Sequence, residues 1–348
     1  MANCVFPEDI MLCILTRLPV KSILRFKSVC KPWCKLIETP MFMKIHHQRF
    51  SNDPKNQAVI IYSLSGYHYH TMSLFKIESD EKKPTNLDHP YPEIFFRMDF
   101  IGCCNGLICM GCPPLGQGIV LWNPAMKLFN SVRLSKVDFG VPEMVSLGFG
   151  TIKVGFHFRV LWTKNDAIVN GNPYWVAKID ENENAKCQLG EVLVWFDVKK
   201  LAFKIVLLSG LNLGEGSEVP LVDWRGSLAA LVCKKNNKIV ESLDVWVFDD
   251  SEQIWRNNHT FGPIEVKVDR FLQCSKNWKI LGECPNGKLF VFDPSTGRVK
   301  EIVIDEARKR SFEIYGYTES LAYIKGMEKV VGYEKCFLID AGKTNAIL

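Results

Sequence analysis

The sequence lacks the long hydrophobic runs, single-sign charge blocks and short catalytic signatures that would assign a function outright. No window reaches the about 18 uninterrupted apolar residues of a membrane-spanning helix. The opening MANCVFPEDI has no basic segment running into an apolar one, so no secretory leader is read there. The expectation is a soluble protein of the cytoplasm and/or nucleus. Neither sign of charge dominates: 43 Lys and Arg stand against 38 Asp and Glu, a net charge of +5. Without a Lys/Arg run, the electrostatic footprint of a nucleic-acid binder is missing. No G-x-S-x-G elbow occurs, and Ser, His and Asp form no motif that singles out a triad. Gly342-Lys343-Thr344 has the form of a phosphate-loop ending, but Phe337 stands where the upstream glycine is required. GLNLGEGSEV, residues 210–219, is Gly-rich without the lysine and reads as a loop.

What is abundant is cysteine, 13 in 348 residues. Four lie in CCNGLICMGC, where Cys104, Cys109 and Cys112 repeat the ligand spacing of a plant-type iron–sulfur site. Asn105-Gly106 decides against that reading, because a two-residue type I′ turn needs positive φ at both positions and these residues supply it. Pairing outward sets Cys104 opposite Leu107, Cys103 opposite Ile108 and Gly102 opposite Cys109. Alternation then puts Cys104, Leu107 and Cys109 on one face and Cys103, Ile108 and Met110 on the other, with Cys112 on the second. The three thiols cannot converge, and the stretch is expected to be a core strand of small hydrophobes with no metal or cofactor. Cysteine catalysis stays formally open, because a nucleophile's partners meet in space. His68-Tyr69-His70 places two imidazoles on one strand face with no evident third ligand and reads as a partly exposed strand.

The first fifty residues are helical in pattern. FPEDIMLCILTRLP places Pro7 where a missing N–H costs nothing, Glu8 and Asp9 in the first turn, and apolar residues at Ile10, Ile14 and Leu18. Pro19 stops the run. In VKSILRFKSVCKPW, Ile23, Phe26, Cys30, Trp33 and Ile37 recur at steps of three and four, Ser22 is a candidate cap, and Pro32 forces a bend or a fresh start. Three short helices are expected. So small a unit cannot bury enough apolar area alone. Either it docks a partner, or it packs on the rest of the chain.

Beyond residue 57, β-rich runs take over. An aromatic residue followed by Asn or Asp ends an apolar strand at Trp122-Asn123, Phe196-Asp197, Phe248-Asp249 and Phe292-Asp293, and a polar turn and a second strand follow. An Asn or Asp there can bond its own backbone and open the turn. Intervals of 74, 52 and 44 residues between these positions suit four-stranded propeller blades. A β-sandwich with similar hairpins is the alternative. The tryptophans, Trp122, Trp175, Trp195, Trp246 and Trp255 among them, read as blade packing.

FPEDIMLCILTRLPVKSILRFKSVCKPWCKLIETPMFMKIH resembles the F-box, especially its plant form, through Pro7, Glu8, Ile14, Leu15, Leu18 to Ser22, Leu24, Phe26, Val29 to Lys31, Trp33, Leu36, Ile37, Pro40, Phe42 and His46. Phe6 departs from the usual Leu. The resemblance implies docking of a Skp-type adaptor, hence a cullin-based ubiquitin ligase, with Pro7, Ile10, Leu18, Pro19, Leu24, Val29 and Trp33 as apolar anchors. CNGLICM, LWNPAMKLF, LGFG, VNGNPYWVA, WRGSLAALVC and KILGECPNGKLFVFDPSTGRVKEIVI resemble, in order, the F-box-associated domain of plant F-box proteins, S-locus-type members in particular. The fold expected is α+β: a three-helix F-box at 1–50 and a mainly antiparallel, propeller-like all-β domain at 57–348. After SLGFG the chain is about one hairpin too short, so a blade is incomplete or the ring closes differently. The function implied is a non-enzymatic substrate receptor, with a scaffold or decoy lacking productive delivery as the alternative. A propeller hydrolase would need a polar or metal-lined channel.

Overall fold

The computed structural model describes residues 7–65, 69–87, 89, 99–111, 119–132, 147–152, 157–162, 167–179, 190–197, 200, 202–208, 211, 219–237, 239–275, 277–304, 311–324 and 326–329. His68, Cys112, most of the Gly-rich stretch and the Gly342-Lys343-Thr344 motif lie outside them.

Four helices open the chain, one more than the pattern predicts: α1 (Glu8–Leu15), α2 (Val20–Phe26), α3 (Lys31–Ile37) and α4 (Pro40–Asn52). Prolines set the boundaries. Pro7 is the N-cap of α1, Pro19 the N-cap of α2, and Pro32 and Pro40 occupy the first turns of α3 and α4, where an absent N–H breaks no helical bond. Ser22 is therefore not a cap but lies inside α2. The run from Ile23 to Ile37 breaks before Lys31, and Phe26 and Trp33 meet across the break edge to face at 5.4 Å.

The strands then run around a ring. β1 (Ala58–Ser65), β2 (Tyr69–Lys76) and β3 (Thr85–Asn86) start the first sheet; β4 (Asp99–Cys104), β5 (Leu107–Gly111), β6 (Ile119–Asn123) and β7 (Leu128–Val132) form the second. A two-stranded sheet, β8 (Leu147–Ile152) and β9 (His157–Trp162), comes next. The fourth holds β10 (Ala167–Val169), β11 (Asn172–Ile179), β12 (Gly190–Asp197) and β13 (Ala202–Leu207). β14 (Leu221–Trp224), β15 (Ser227–Asn236), β16 (Ile239–Asp249), β17 (Ile254–Phe261) and β18 (Ile264–Lys267) form the fifth. β19 (Arg270–Cys274), β20 (Ile280–Glu283), β21 (Leu289–Asp293) and β22 (Arg298–Ile302) form the sixth. β23 (Ser311–Tyr317) returns to pair with β1 as the innermost strand of the first sheet, and β24 (Glu328–Lys329) extends the second beyond β7.

Every described strand pair is antiparallel. Neighbouring sheets touch in a circle through their inner strands, β4 against β8, β8 against β11 (second in its sheet after β10), β10 against β14, β14 against β19, β19 against β23, and β23 against β4. That circle makes the domain propeller-like and rules out a two-layer sandwich. Among the described residues five positions carry four or five strands and the third carries two. Pairing β23 with β1 hides the edges that both ends of the β chain would otherwise expose.

The core is divided among the seams between sheets. Tyr62 and Met72 meet Ile108, Met110 and Trp122, whereas Val59, Ile61 and Phe75, on the opposite face, meet Leu281, Leu289 and Val291. The β4–β5 hairpin follows its alternation: Cys104 opposes Leu107, Cys103 opposes Ile108 and Gly102 opposes Cys109 across a turn with φ of 50° at Asn105 and 73° at Gly106. Cys109 packs with Leu107 in one cluster, and Cys103 with Ile108 and Met110 in another. Burial pushes both thiols far up, so the thiolate a metal requires is disfavoured.

Candidate functional site

Two places can carry function, the surface of the helical head and the centre of the ring. In the head, Met11 and Leu15 of α1, Val20 and Ile23 of α2, Ile37 of α3 and Phe42 of α4 form one core. Leu321, only 2% exposed and from the segment after β23, completes it, with Ala125 and Met126 of the β6–β7 turn packed alongside. The head thus does pack on its own β domain, but through one face. On the other, Ile10 is 46% exposed, Ile14 53% and Val29 58%. The helical stripe of Ile10, Ile14 and Leu18 is accordingly not the internal core of α1.

All seven residues expected to contact an adaptor remain accessible. Pro7, Ile10, Pro19 and Val29 are exposed, and Leu18, Leu24 and Trp33 half-buried at the edge of the core. Met41 is also exposed, at the start of α4.

α4 holds the α1–α2 connection in place. His46 is wholly buried, and its Nε2 donates to the Leu18 carbonyl at 2.9 Å, the only role open to a nitrogen facing a carbonyl oxygen. Arg49 donates through Nη1 to Thr16 Oγ1 at 2.7 Å, and that hydroxyl donates to the Leu12 carbonyl at 2.7 Å. The rings of Phe42 and Phe50 stack on either side of His46. Burial holds the imidazole below its ordinary pKa against a smaller raising effect of the Leu18 bond, and Nδ1 has no partner among the described residues. Because the folded imidazole binds protons less readily than the unfolded one, its contribution is complete above about pH 6.5 and is lost as pH falls below that. The head's melting temperature should therefore fall from pH 7 to pH 5, and His46→Gln, which keeps a donor and cannot titrate, should flatten that part of the profile. An unchanged profile in the variant would show that another group sets it.

Asn123 seats the connection between head and ring. It is fully buried; Nδ2 donates to the carbonyls of Ser320 at 3.0 Å and Ala322 at 2.9 Å, while Oδ1 accepts from the Met126 N–H at 3.1 Å. Asp197, Asp249 and Asp293 make the same turn-opening bond, accepting from the N–H of Lys200, Ser251 and Ser295. Only an amide can also donate to two carbonyls, which explains Asn at the first of the four related positions. This role is missed by sequence reasoning; the Asn-for-Asp difference is its one local trace.

At the centre of the ring lies a cavity of about 440 Å³, bordered by innermost strands and by His47 and Ser51 of α4. Its wall includes Asn105, Asn170, Asp223, Gln273 and Ser275, so it is not a dry apolar channel, and a hydrolase is not excluded on that ground. Its chemistry does not favour one either. Asp223 accepts the Gly226 N–H at 2.6 Å, and burial together with the Asp223 charge pushes the Cys274 thiol far up, away from a nucleophilic thiolate. Among the described residues no three His, Cys, Asp or Glu side chains gather as metal ligands, and no helix is long and apolar enough to cross a membrane.

Residues 4–45 match the F-box domain, and residues 146–312 the F-box associated beta propeller domain. An F-box/kelch-repeat protein of Arabidopsis thaliana is 30% identical over 373 residues, covering 92% of this chain and 94% of that protein. An F-box protein of Arabidopsis thaliana is 23% identical over 381 residues, covering 85% and 87%. A putative F-box protein of the same plant is 29% identical over 171 residues, 46% of this chain and 40% of its own length. None of these three names bears on the S-locus likeness. With a propeller ring behind a four-helix head and a relative that is similar along nearly its whole length, this chain belongs to the family of F-box proteins that carry an F-box associated beta propeller domain.

Proposed function

We propose that the chain is a non-enzymatic substrate-recognition subunit of a Skp–cullin–F-box ubiquitin ligase, working in the cytoplasm and/or nucleus. Its F-box, residues 1–50, binds the Skp-type adaptor through Pro7, Ile10, Leu18, Pro19, Leu24, Val29 and Trp33, and the β domain, residues 57–348, binds a target protein. The ligase core supplies the chemistry. This chain raises the local concentration of target lysines near the transfer site, a proximity effect that requires no unusually ionised residue.

The observation that carries the reading is the exposure of Ile10, Ile14 and Val29 on the head, although its core is already closed against Leu321. Water-exposed Ile10, Ile14 and Val29 cost free energy that burial in a partner's groove recovers. Co-expression with a Skp-type adaptor and a cullin tests this. The chain should elute with both, and the complex should transfer ubiquitin to proteins that accumulate beside it, in proximity labelling, only when the proteasome is blocked. Failure to elute with the adaptor sinks the reading. Elution without transfer favours a second one, an adaptor-binding scaffold or decoy, for which the shortened stretch after SLGFG is the motive.

A further inference from the structure

Two faces, one of the second sheet and one of the fourth, flank the third position of the ring. One belongs to the second sheet, where Ile101, Leu107, Cys109, Ile119 and Leu121 are buried under Ala322, Ile324 and Met327 of the chain itself. The other belongs to the fourth sheet. Its Tyr174, Leu193, Trp195 and Val206 pack against Leu221, Leu228, Phe248 and Trp255 of the fifth, so by alternation Trp175, Val194, Phe196, Phe203, Ile205 and Leu207 point the opposite way. Among the described residues Trp175 and Phe196 are buried together in a small cluster with Val194 alongside, and the Phe203 ring lies 5.0 Å from Phe196 and 6.2 Å from Trp175. β13, however, is open: Phe203 is 57% exposed, Ile205 61% and Leu207 60%.

β13 is also the last strand of its sheet, and among the described residues no strand pairs with its outer edge. Edges of this kind are normally blunted by charge, because unpaired N–H and C=O groups are a template for another strand. Here the charge is turned away, with Lys204 on the opposite face between Asp197 at 4.0 Å and Asp250 at 3.6 Å. What remains is an uncharged, apolar, hydrogen-bonding edge.

Its size selects the occupant. Three side chains about 60% exposed offer on the order of 300 Å², taking roughly 150–200 Å² for each large side chain. That is well short of the ~800 Å² per partner that a stable protein dimer buries. A short extended segment is different, because main-chain hydrogen bonds along the edge add to the apolar contacts. We infer that β13 is the target-binding edge of the β domain, taking an extended peptide segment with apolar residues at alternate positions as an added strand over Phe203, Ile205 and Leu207. This rests on the receptor reading and names the surface it uses.

The test uses full-length chain with its adaptor, wild type against Ile205→Lys/Leu207→Lys, and a displayed library of random ten-residue peptides as probe. Both substitutions replace exposed side chains, and an unchanged melting temperature confirms that the fold is kept. Wild type should enrich sequences with apolar residues at every second position, and the variant should bind the same peptides at least about tenfold more weakly, because lysine places charge on the contact face. Methylating alternate backbone nitrogens on the paired edge of a selected peptide should abolish binding. The inference is overturned if no alternating pattern is enriched, if the variant binds equally well, or if sedimentation shows concentration-dependent dimers that the variant loses, which would make the edge a contact between copies. Adaptor retention in the same preparations separates the two claims. Retained adaptor with no edge-dependent peptide removes only this surface, whereas lost adaptor in wild type removes the receptor reading itself.

Discussion

Leu18→Asp combined with Pro19→Ala should abolish co-purification of a Skp-type adaptor while the β domain stays folded. Pro19 is exposed as the N-cap of α2, and Leu18 is half-buried at the turn whose carbonyl His46 holds. In a docked complex both become desolvated. A carboxylate there, with no partner, costs several kcal/mol, and every 1.4 kcal/mol is about tenfold in affinity, so a loss beyond a hundredfold is expected. Leu18 also touches the head's own core, so Val29→Asp serves as the companion. Val29 is 58% exposed after α2 and outside that core, and its substitution should weaken capture with the helical content unchanged. If both variants capture adaptor like wild type, this part of the head is not the docking surface.

Asn123→Asp should free the helical head from the ring. The native amide is satisfied by three hydrogen bonds in one orientation, two of them donated to carbonyls that flank Leu321. An ionised carboxylate can donate neither and faces both carbonyl oxygens in a site without solvent access. Each buried polar group left unpaired costs about 1–3 kcal/mol, and more when charged, so roughly 3 kcal/mol or more is expected. Burial raises the folded carboxyl above its unfolded value near 3.9, so the variant's deficit should grow as pH rises from about 4 and be fully expressed at neutral pH. Hydrogen exchange should report lost protection in α1–α4 with protection retained in β19–β22. Leu321→Ala should give the same pattern, since emptying that place in the head's core costs about 2–5 kcal/mol. Unaltered protection of the helices in both would mean that the latch does not seat the head.

Most local features were legible in the residues. Pro7, Pro19 and Pro32 delimit helices because a ring without an N–H fits only where no helical bond is needed. The order Cys103-Cys104-Asn105-Gly106 specifies its hairpin register because only positive φ closes that turn. Asp197, Asp249 and Asp293 open turns through bonds reaching two or three residues along the chain. The fourth helix and the interior place of Ser22 were not legible, since helix propensity does not tell a bend from a restart. The stripe through Ile10 and Ile14 has the periodicity of a core face, yet Met11 and Leu15 are the ones covered; α1 is apolar on two sides, and pattern cannot rank them.

What the sequence by itself determined, then, is where the proline-bounded helices begin, how the Asn105-Gly106 hairpin registers, and that an F-box precedes a chain of blades, because proline boundaries, turn residues and strand ends depend on neighbours a few residues apart. Only the tertiary structure decided that Leu321 completes a core begun at Met11, that β23 closes the ring on β1, and that Phe203, Ile205 and Leu207 of β13 stand exposed. Those outcomes depend on which surfaces meet across some three hundred residues, and hydrophobic burial, being non-directional, leaves no local mark of the partner it will find.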